Sequence, residues 1–295
     1  MKIADNIDAA TQVFGVIGDP IGHTLSPLIH NTMAAMLGTN LVYTAFHVLS
    51  KDLESAIKGA HSLGIAGLNV TVPHKKAIMP YLSSLDATAE LVGAVNTIKY
   101  TQEGYVGYNT DMIGAYYALE LNGANLKDSR VLLLGAGGAA NACAAMAGKY
   151  GAKELYIANR TLSNAQKLAE HIKTNFDIKV SPITMQEVNT IEKCDLVINC
   201  TTLGFGDKAG LTPIEDKGFF KRAGVKTVFD AIYSPWETKL LEDAAAEGIK
   251  AINGFDMLIF QALAAREIWL NEKHDAAFRS GLKELLTQYY LGEMK

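Results

Sequence analysis

The chain has 295 residues, room for two cores rather than one, and its 49% hydrophobic and 20% charged residues are the balance of a soluble globular protein. A net charge of −4 gives no electrostatic footprint for nucleic acid or an anionic membrane. No apolar run approaches the roughly 18–20 residues that cross a bilayer, and Met1 to Gln12 lacks the apolar core of a signal peptide.

In chain order, Val13–Ile17 reads as a strand, followed by the loop Gly18-Asp-Pro-Ile-Gly-His-Thr-Leu-Ser-Pro27 and a helix. Ser26 suits its N-cap, Pro27 its first position and Gly38 its stop, with Ile29, Met33, Met36 and Leu37 as the buried face. Leu41–Val48 is a second strand. A helix follows with Leu53, Ala56, Ile57, Ala60 and Leu63 on one stripe, ending at Gly64. Residues 67–75, Gly-Leu-Asn-Val-Thr-Val-Pro-His-Lys, then read as a strand. Alternation would put Asn69, Thr71, Pro73 and Lys75 on one face and Leu68, Val70 and Val72 on the other. An amide, a hydroxyl and an amine in register can bind a small polyol or acid and offer it a proton. A solvated edge strand would read the same way. A helix around 86–92 and a hairpin with arms Ala94–Tyr100 and Tyr105–Asn109 complete this part.

From about residue 113 the character changes. A helix runs to about Leu121, and then strand–helix units repeat. The strands are Val131–Leu134, Glu154–Ala158, Ile178–Ser181, Asp195–Asn199, Thr227–Asp230 and Ile249–Ile252. This alternation predicts a parallel, doubly wound sheet. Two helical stretches from Phe255 have no sheet of their own and are expected to pack on the first domain. The expected class is therefore α/β: two α/β domains flanking a cleft, one of them a doubly wound Rossmann-type domain. Their expected extents are residues 1–112 completed by 254–295, and 113–253.

Val131-Leu-Leu-Leu-Gly135-Ala136-Gly137-Gly138-Ala139-Ala140 ends a strand and opens a helix, which fits GxGxxG/A. Gly135 permits the tight turn, Gly137 lets the backbone approach a pyrophosphate, and Ala140 allows close helix–strand packing. The helix N-terminus supplies N–H groups and a favourable dipole to the anion. An NAD site wants an acidic residue about 20 residues further on. Here the second strand ends in Ala158-Asn159-Arg160-Thr161, with no carboxylate. Arg160 can grip a 2′-phosphate with two parallel hydrogen bonds, Asn159 and Thr161 can add neutral ones, and NADP is favoured over NAD. Thr161 could equally cap the next helix. Cys143, Cys194 and Cys200 sit at unrelated spacings in apolar segments, as buried free thiols of a reducing cytoplasm would. The histidines form no HxxxH pair and no cluster with cysteine, so no metal site is expected.

A nicotinamide enzyme acting on an alcohol or ketone must also move a proton. Lys75 is the candidate carrier, and Asp111, in Gly107-Tyr-Asn-Thr-Asp111, the carboxylate that would hold it charged. Asp111 could also simply favour a helix start.

Seven motifs, in order, resemble those of the shikimate dehydrogenases, a family that includes quinate/shikimate dehydrogenases. They are Gly18–Pro27, Asn69–Lys75, Gly93-Ala-Val-Asn-Thr97, Gly107–Asp111, Gly135–Ala140, Asn159–Thr161 and Gly254–Gln261. The resemblance runs end to end and implies NADP-linked, reversible reduction of 3-dehydroshikimate to shikimate in aromatic biosynthesis. It implies Lys75 and Asp111 as the catalytic pair and Thr24, Ser26, Asn69, Thr71, Asn96 and Gln261 as substrate-binding positions. Tyr233 would sit near the cleft, and Thr201 and Met257 would line the nicotinamide side. Singly, Ser26 could only cap a helix, Asn96 bridge a hairpin, Gln261 occupy a polar helix face and Met257 fill core. Thr24-Leu25-Ser26 departs from the usual Ser-x-Ser, which leaves shikimate against quinate open. Met112 replaces the glycine that usually follows Asp111, a change the first turn of a helix tolerates. The alternatives are a quinate/shikimate enzyme of broader NAD and NADP use, and a non-catalytic NADP or metabolite sensor. The partner expected is the small-molecule substrate, with neither nucleic acid nor membrane, in a cytoplasmic monomer or homodimer.

Overall fold

The computed structural model describes residues 7–293, so the first half of the Met1–Gln12 segment and the last two residues lie outside it. The chain divides into two compact units, one running to Thr110 and resuming at Ile259, the other Asp111–Leu258.

The first unit contains β1 (Gln12–Gly18), α1 (Ser26–Leu37), β2 (Leu41–His47), α2 (Leu53–Ser62), β3 (Gly67–Val70), α3 (His74–Ala77), β4 (Ser84–Leu85), α4 (Ala87–Val92), β5 (Thr97–Thr101) and β6 (Gly104–Tyr108). Its sheet has the order β2-β1-β3-β5-β6-β4. β1 pairs in parallel with β2 and β3, whereas β5 runs antiparallel to both β3 and β6. Thr101 pairs with Gly104, so Gln102 and Glu103 form the two-residue tip of the expected hairpin.

The second unit holds α5 (Asp111–Leu121), β7 (Arg130–Leu134), α6 (Gly138–Lys149), β8 (Glu154–Ala158), α7 (Leu162–Asn175), β9 (Lys179–Ile183), β10 (Leu196–Asn199), α8 (Gly218–Ala223), β11 (Thr227–Asp230), α9 (Lys239–Ala246) and β12 (Lys250–Ile252). Its six strands are all parallel, in the order β12-β11-β10-β7-β8-β9. Counted along the chain that is 3-2-1-4-5-6 read from β9, the doubly wound Rossmann order. Leu132, Leu134, Val197 and Val228 are fully buried, as strands covered on both faces require.

α10 (Phe255–Leu270) and α11 (Ala276–Glu293) finish the chain. In the first unit the α10 residue Trp269 donates its Nε1–H to Ile98 O at 2.9 Å and packs on Phe14, ring centroids 4.8 Å apart. Gly67 makes this fit: a Cβ there would come within 2.3 Å of the Trp269 Nε1.

Several local expectations are corrected. The strand over 67–75 ends at Val70, because Thr71 O accepts the His74 N–H at 2.9 Å in a turn and Pro73 has no N–H for a ladder. Pro73 and Lys75 therefore do not share a strand face with Asn69; Lys75 lies on α3. α1 begins at Ser26 with Leu25 in the N-cap position, so Ser26 does not cap it. Its buried face is Ser26, Ile29, His30, Met33 and Ala34, while Met36 and Leu37 are exposed. Leu63 is likewise exposed, since α2 stops at Ser62 and Leu63 is its C-cap. Cys200 is only partly buried, unlike Cys143 and Cys194. Met112 lies buried in the first turn of α5 with no left-handed backbone, as that site needs.

Candidate functional site

Within the first unit, a buried polar network gathers most of the residues expected to bind substrate. Thr24 Oγ1 donates to Ser26 Oγ at 3.1 Å, and the Ser26 hydroxyl is a hydrogen-bond partner of the buried Tyr43 phenol. Tyr43 Oη donates to Asn69 Oδ1 at 2.7 Å. Asn69 Nδ2 in turn donates to Asn96 O at 3.2 Å and Thr97 Oγ1 at 3.0 Å. Asn96 stands at the centre: its Oδ1 accepts from Thr110 N at 2.7 Å and Thr97 Oγ1 at 3.0 Å, and its Nδ2 donates to Thr110 Oγ1 at 2.9 Å and Gln261 Oε1 at 3.4 Å. Buried amides survive only when so partnered. Thr71 is half-buried just beyond β3, its N–H bonded to Ile17 O at 3.0 Å.

Tyr43, Thr97 and Thr110 are members that the sequence reading missed. Tyr43 sits on β2, 26 residues from its partner Asn69, and no local pattern joins them. Burial pushes its phenol well above the usual tyrosine range. His30 stacks on Tyr43 with centroids 4.1 Å apart, and burial, then the charge of Arg266, lowers its pKa to about 3. It is a neutral ring under the network.

Lys75 is half-buried on α3, and its carbonyl accepts Val95 N at 2.8 Å. The neighbouring His74 Nε2 bonds Val48 O at 2.6 Å, so the short helix is tied down on both sides. Asp111 opens α5 of the second unit and is buried.

The second unit carries a cavity of about 670 Å³ at the C-terminal ends of β7, β8 and β10. Gly135, Ala136, Gly137, Asn159, Arg160 and Thr201 line it, joined by Met185, Gln186, Val188, Asn189, Lys208 and 212–215 that the sequence did not single out. Gly138, Ala139, Thr161 and Met257 are not among its lining residues; Met257 is buried and Thr161 exposed. Gly135 has φ +106°, and a Cβ there would approach Cys200 O to 3.0 Å, so only glycine turns the chain here. A Cβ at Gly137 would meet no protein atom, which leaves that backbone open to a ligand. Ala140 is fully buried against the sheet. No side chain caps α6 and its first turn holds no acid, as an anion-binding terminus requires.

Asn159 Nδ2 donates to Thr161 O at 2.9 Å, which shapes the tip of β8; Thr161 occupies the N-cap of α7 without a capping bond. Arg160 is exposed there, with no hydrogen bond or ion pair to the described residues. A free guanidinium at the tip of β8, with no carboxylate in 158–161, fits NADP. Beneath the cavity wall Cys200 Sγ lies 3.7 Å from Cys143 Sγ, and that contact and burial push the Cys200 thiol well up. Tyr233 is half-buried in the β11–α9 loop of this unit, and Gln261 belongs to the first. Gly254 lets that loop approach, since its Cβ would strike Ala231 O at 2.3 Å. No group of His, Cys, Asp and Glu able to hold a metal occurs among the described residues.

A 3-2-1-4-5-6 parallel sheet with a glycine turn over an open cavity defines a Rossmann-type dinucleotide-binding protein. Residues 16–98 match the family described as shikimate dehydrogenase substrate binding domain, and residues 118–204 that described as shikimate / quinate 5-dehydrogenase. A shikimate dehydrogenase (NADP(+)) of Caldanaerobacter subterraneus subsp. tengcongensis is 40% identical over 92% of this chain and 96% of its own length. One of Methanocaldococcus jannaschii is 42% identical over 89% of this chain and 93% of its own. The structure of shikimate 5-dehydrogenase from Listeria monocytogenes, in complex with shikimate and NAD, superposes with a TM-score of 0.87 at 33% identity, covering 97% of this chain and 100% of that one. The chain belongs to the shikimate dehydrogenase family.

Proposed function

We propose that this protein is an NADP-dependent oxidoreductase that interconverts 3-dehydroshikimate and shikimate. The observation that carries the reading is the free Arg160 beside the glycine turn, in a chain 40% identical along nearly its whole length to an NADP-linked shikimate dehydrogenase. A bound dinucleotide would supply the hydride in reduction and take it up in oxidation. Gly135–Ala139 and the α6 N-terminus are assigned its pyrophosphate, Asn159, Arg160 and Thr161 its 2′-phosphate, and Thr201 and Met257 its nicotinamide side. The substrate positions assigned are Thr24, Ser26, Asn69, Thr71, Asn96, Tyr233 and Gln261. A row of hydroxyls and amides suits a cyclohexene triol carboxylate, which offers several hydroxyls to pair with them.

Lys75 and Asp111 are assigned as the catalytic pair. In the reducing direction an ammonium at Lys75 polarises the substrate carbonyl and gives it a proton; in the oxidising direction the neutral amine takes one back. Support comes from the matching motifs and from α3, which is tied at His74 and at the Lys75 carbonyl. Substrate binding is assigned to residues 1–112 with 254–295 and NADP binding to 113–253, an assignment supported by where the two family matches fall. We place the enzyme in the cytoplasm as a monomer or homodimer. Three free cysteines and the lack, among the described residues, of any helix long and apolar enough to cross a membrane support that placement.

The test is reduced-cofactor absorbance with purified protein, crossing shikimate and quinate against NADP and NAD. Fast turnover with shikimate and NADP alone is expected. Comparable rates with quinate or NAD would move the chain to the broader enzyme, and NADP binding with no turnover to a sensor.

A further inference from the structure

Behind the wall of the dinucleotide cavity lies a chain of bonds that the pattern of cofactor residues does not contain. Asp230, at the end of β11, is fully buried. Its Oδ2 accepts from Thr238 Oγ1 at 2.7 Å, and its Oδ1 accepts from Ile232 N at 3.1 Å and Asn199 Nδ2 at 3.0 Å. Thr238 is itself fixed, because its Oγ1 caps α9 at Leu241 N. Asn199, at the end of β10, passes the constraint on. Its Oδ1 accepts both Thr201 N at 2.9 Å and Thr201 Oγ1 at 2.8 Å. Thr201 Oγ1 then accepts Leu203 N at 3.2 Å, and Thr201 and Leu203 line the cavity.

We propose that Asp230 is a positioning residue for the dinucleotide: through Asn199 it sets the cavity wall formed by Thr201–Leu203. An amide group has nearly the same shape when flipped, so only its partners decide which end faces where. Asp230 and the Leu203 carbonyl can only accept, and the Asn199 NH₂ donates to both, at 3.0 and 3.4 Å, so together they hold the Asn199 oxygen toward Thr201. Without Asp230 the Asn199 NH₂ keeps only the longer bond to Leu203 O, and the amide's hold on Thr201 loosens. Gly204 continues the wall at φ +106°, with room for a Cβ only 3.3 Å from Thr238 Cβ. The same threonine that anchors Asp230 therefore backs the far end of the loop.

The inference rests on the cavity being the NADP site, and the experiment separates the two. KM values for NADP and for shikimate are measured on the full chain for the native enzyme, D230L, D230N and N199A. D230L and N199A are expected to raise the NADP KM about tenfold while leaving the shikimate KM unchanged. A merely structural defect would lower the active fraction, and so kcat, without moving either KM. D230N restores the native NADP KM within about threefold: its amide oxygen can accept from Asn199 and Ile232, and its NH₂ can donate to Thr238. N199A leaves Asp230 its bonds to Ile232 and Thr238, so it serves if D230L does not fold. The double variant is expected to be no worse than the weaker-binding single, since both cut one chain. Native NADP KM values in D230L and N199A, or fully additive losses in the double, would overturn the relay. A native enzyme without NADP affinity would instead overturn the reading of the cavity.

Discussion

The Tyr43 hydroxyl donates to Asn69 Oδ1 at 2.7 Å, while both hydrogens of the Asn69 amide are taken by Asn96 O and Thr97 Oγ1. The buried His30 ring is a further hydrogen-bond partner of Asn69, so the amide is held from α1, β2 and β5 together. With both N–H groups taken, it has none left for a carbonyl or carboxylate. Asn69 is in this way fixed by a tyrosine that has no motif of its own.

Tyr43→Phe removes that donor and leaves the ring stacked on His30. Asn69 Oδ1 then loses its phenol donor and its orientation loosens. We expect the KM for shikimate to rise about five- to tenfold, equivalent to the roughly 1–1.5 kcal/mol of one such bond, with the KM for NADP unchanged. Equal values for the variant and the native enzyme would remove Tyr43 from the substrate site.

Lys75→Ala takes away the assigned proton carrier. General acid–base groups contribute typically about 10²–10⁴-fold, so kcat should fall by that order while NADP affinity, measured by titration, stays near native. A Lys75→Ala enzyme that turns over normally removes the mechanism.

Arg160→Ala tests the phosphate contact. A charged hydrogen bond is worth about 1.5–3 kcal/mol, so NADP should bind roughly 10- to 100-fold more weakly. NAD lacks the 2′-phosphate and should lose almost nothing. An equal loss on both cofactors would mean that Arg160 acts on the rest of the dinucleotide.

Much of this was legible in the chain because it is local. The second unit could be read strand by strand: β8 and β11 have the bounds that their apolar runs predict, since a strand buried on both faces is a continuous apolar word. The glycine turn and Arg160 lie within 26 residues, inside one βαβ unit, and each supplies its own chemical reason. What stayed hidden depends on distant pairing. Alternation put Lys75 on the face of Asn69, but a turn at Thr71 and a proline end β3 first. Tyr43 reads as one more aromatic of a strand until β2 pairs with β1 and β1 with β3, which brings it to Asn69. Asn199 and Asp230 are each the polar last residue of an apolar strand. Only the pairing of β10 with β11, with Asn199 opposite Asp230, turns them into a pair.

The buried titratable groups predict a pH dependence of stability. His30 is 3% exposed, its Nε2 has no hydrogen-bond partner among the described residues, and its pKa is lowered from 6.5 to about 3. Below pH 6.5 the unfolded chain takes up a proton that the fold refuses, so stability is lost as pH falls, by about 1.4 kcal/mol per unit until about pH 3. Asp230 works in the opposite sense: burial raises its pKa from 3.8 to about 6, so between those values the fold holds the extra proton and gains stability as pH falls. The two slopes offset each other in the native protein, and its stability curve alone would hide both. His30→Phe keeps the stack on Tyr43 and removes one of them. Denaturant unfolding at pH 7 and pH 5 should show the variant gaining about 2 kcal/mol on the native protein over that interval. Parallel curves across the same interval would mean that His30 is protonated in the fold, with Arg266 and the burial of α1 failing to exclude the charge.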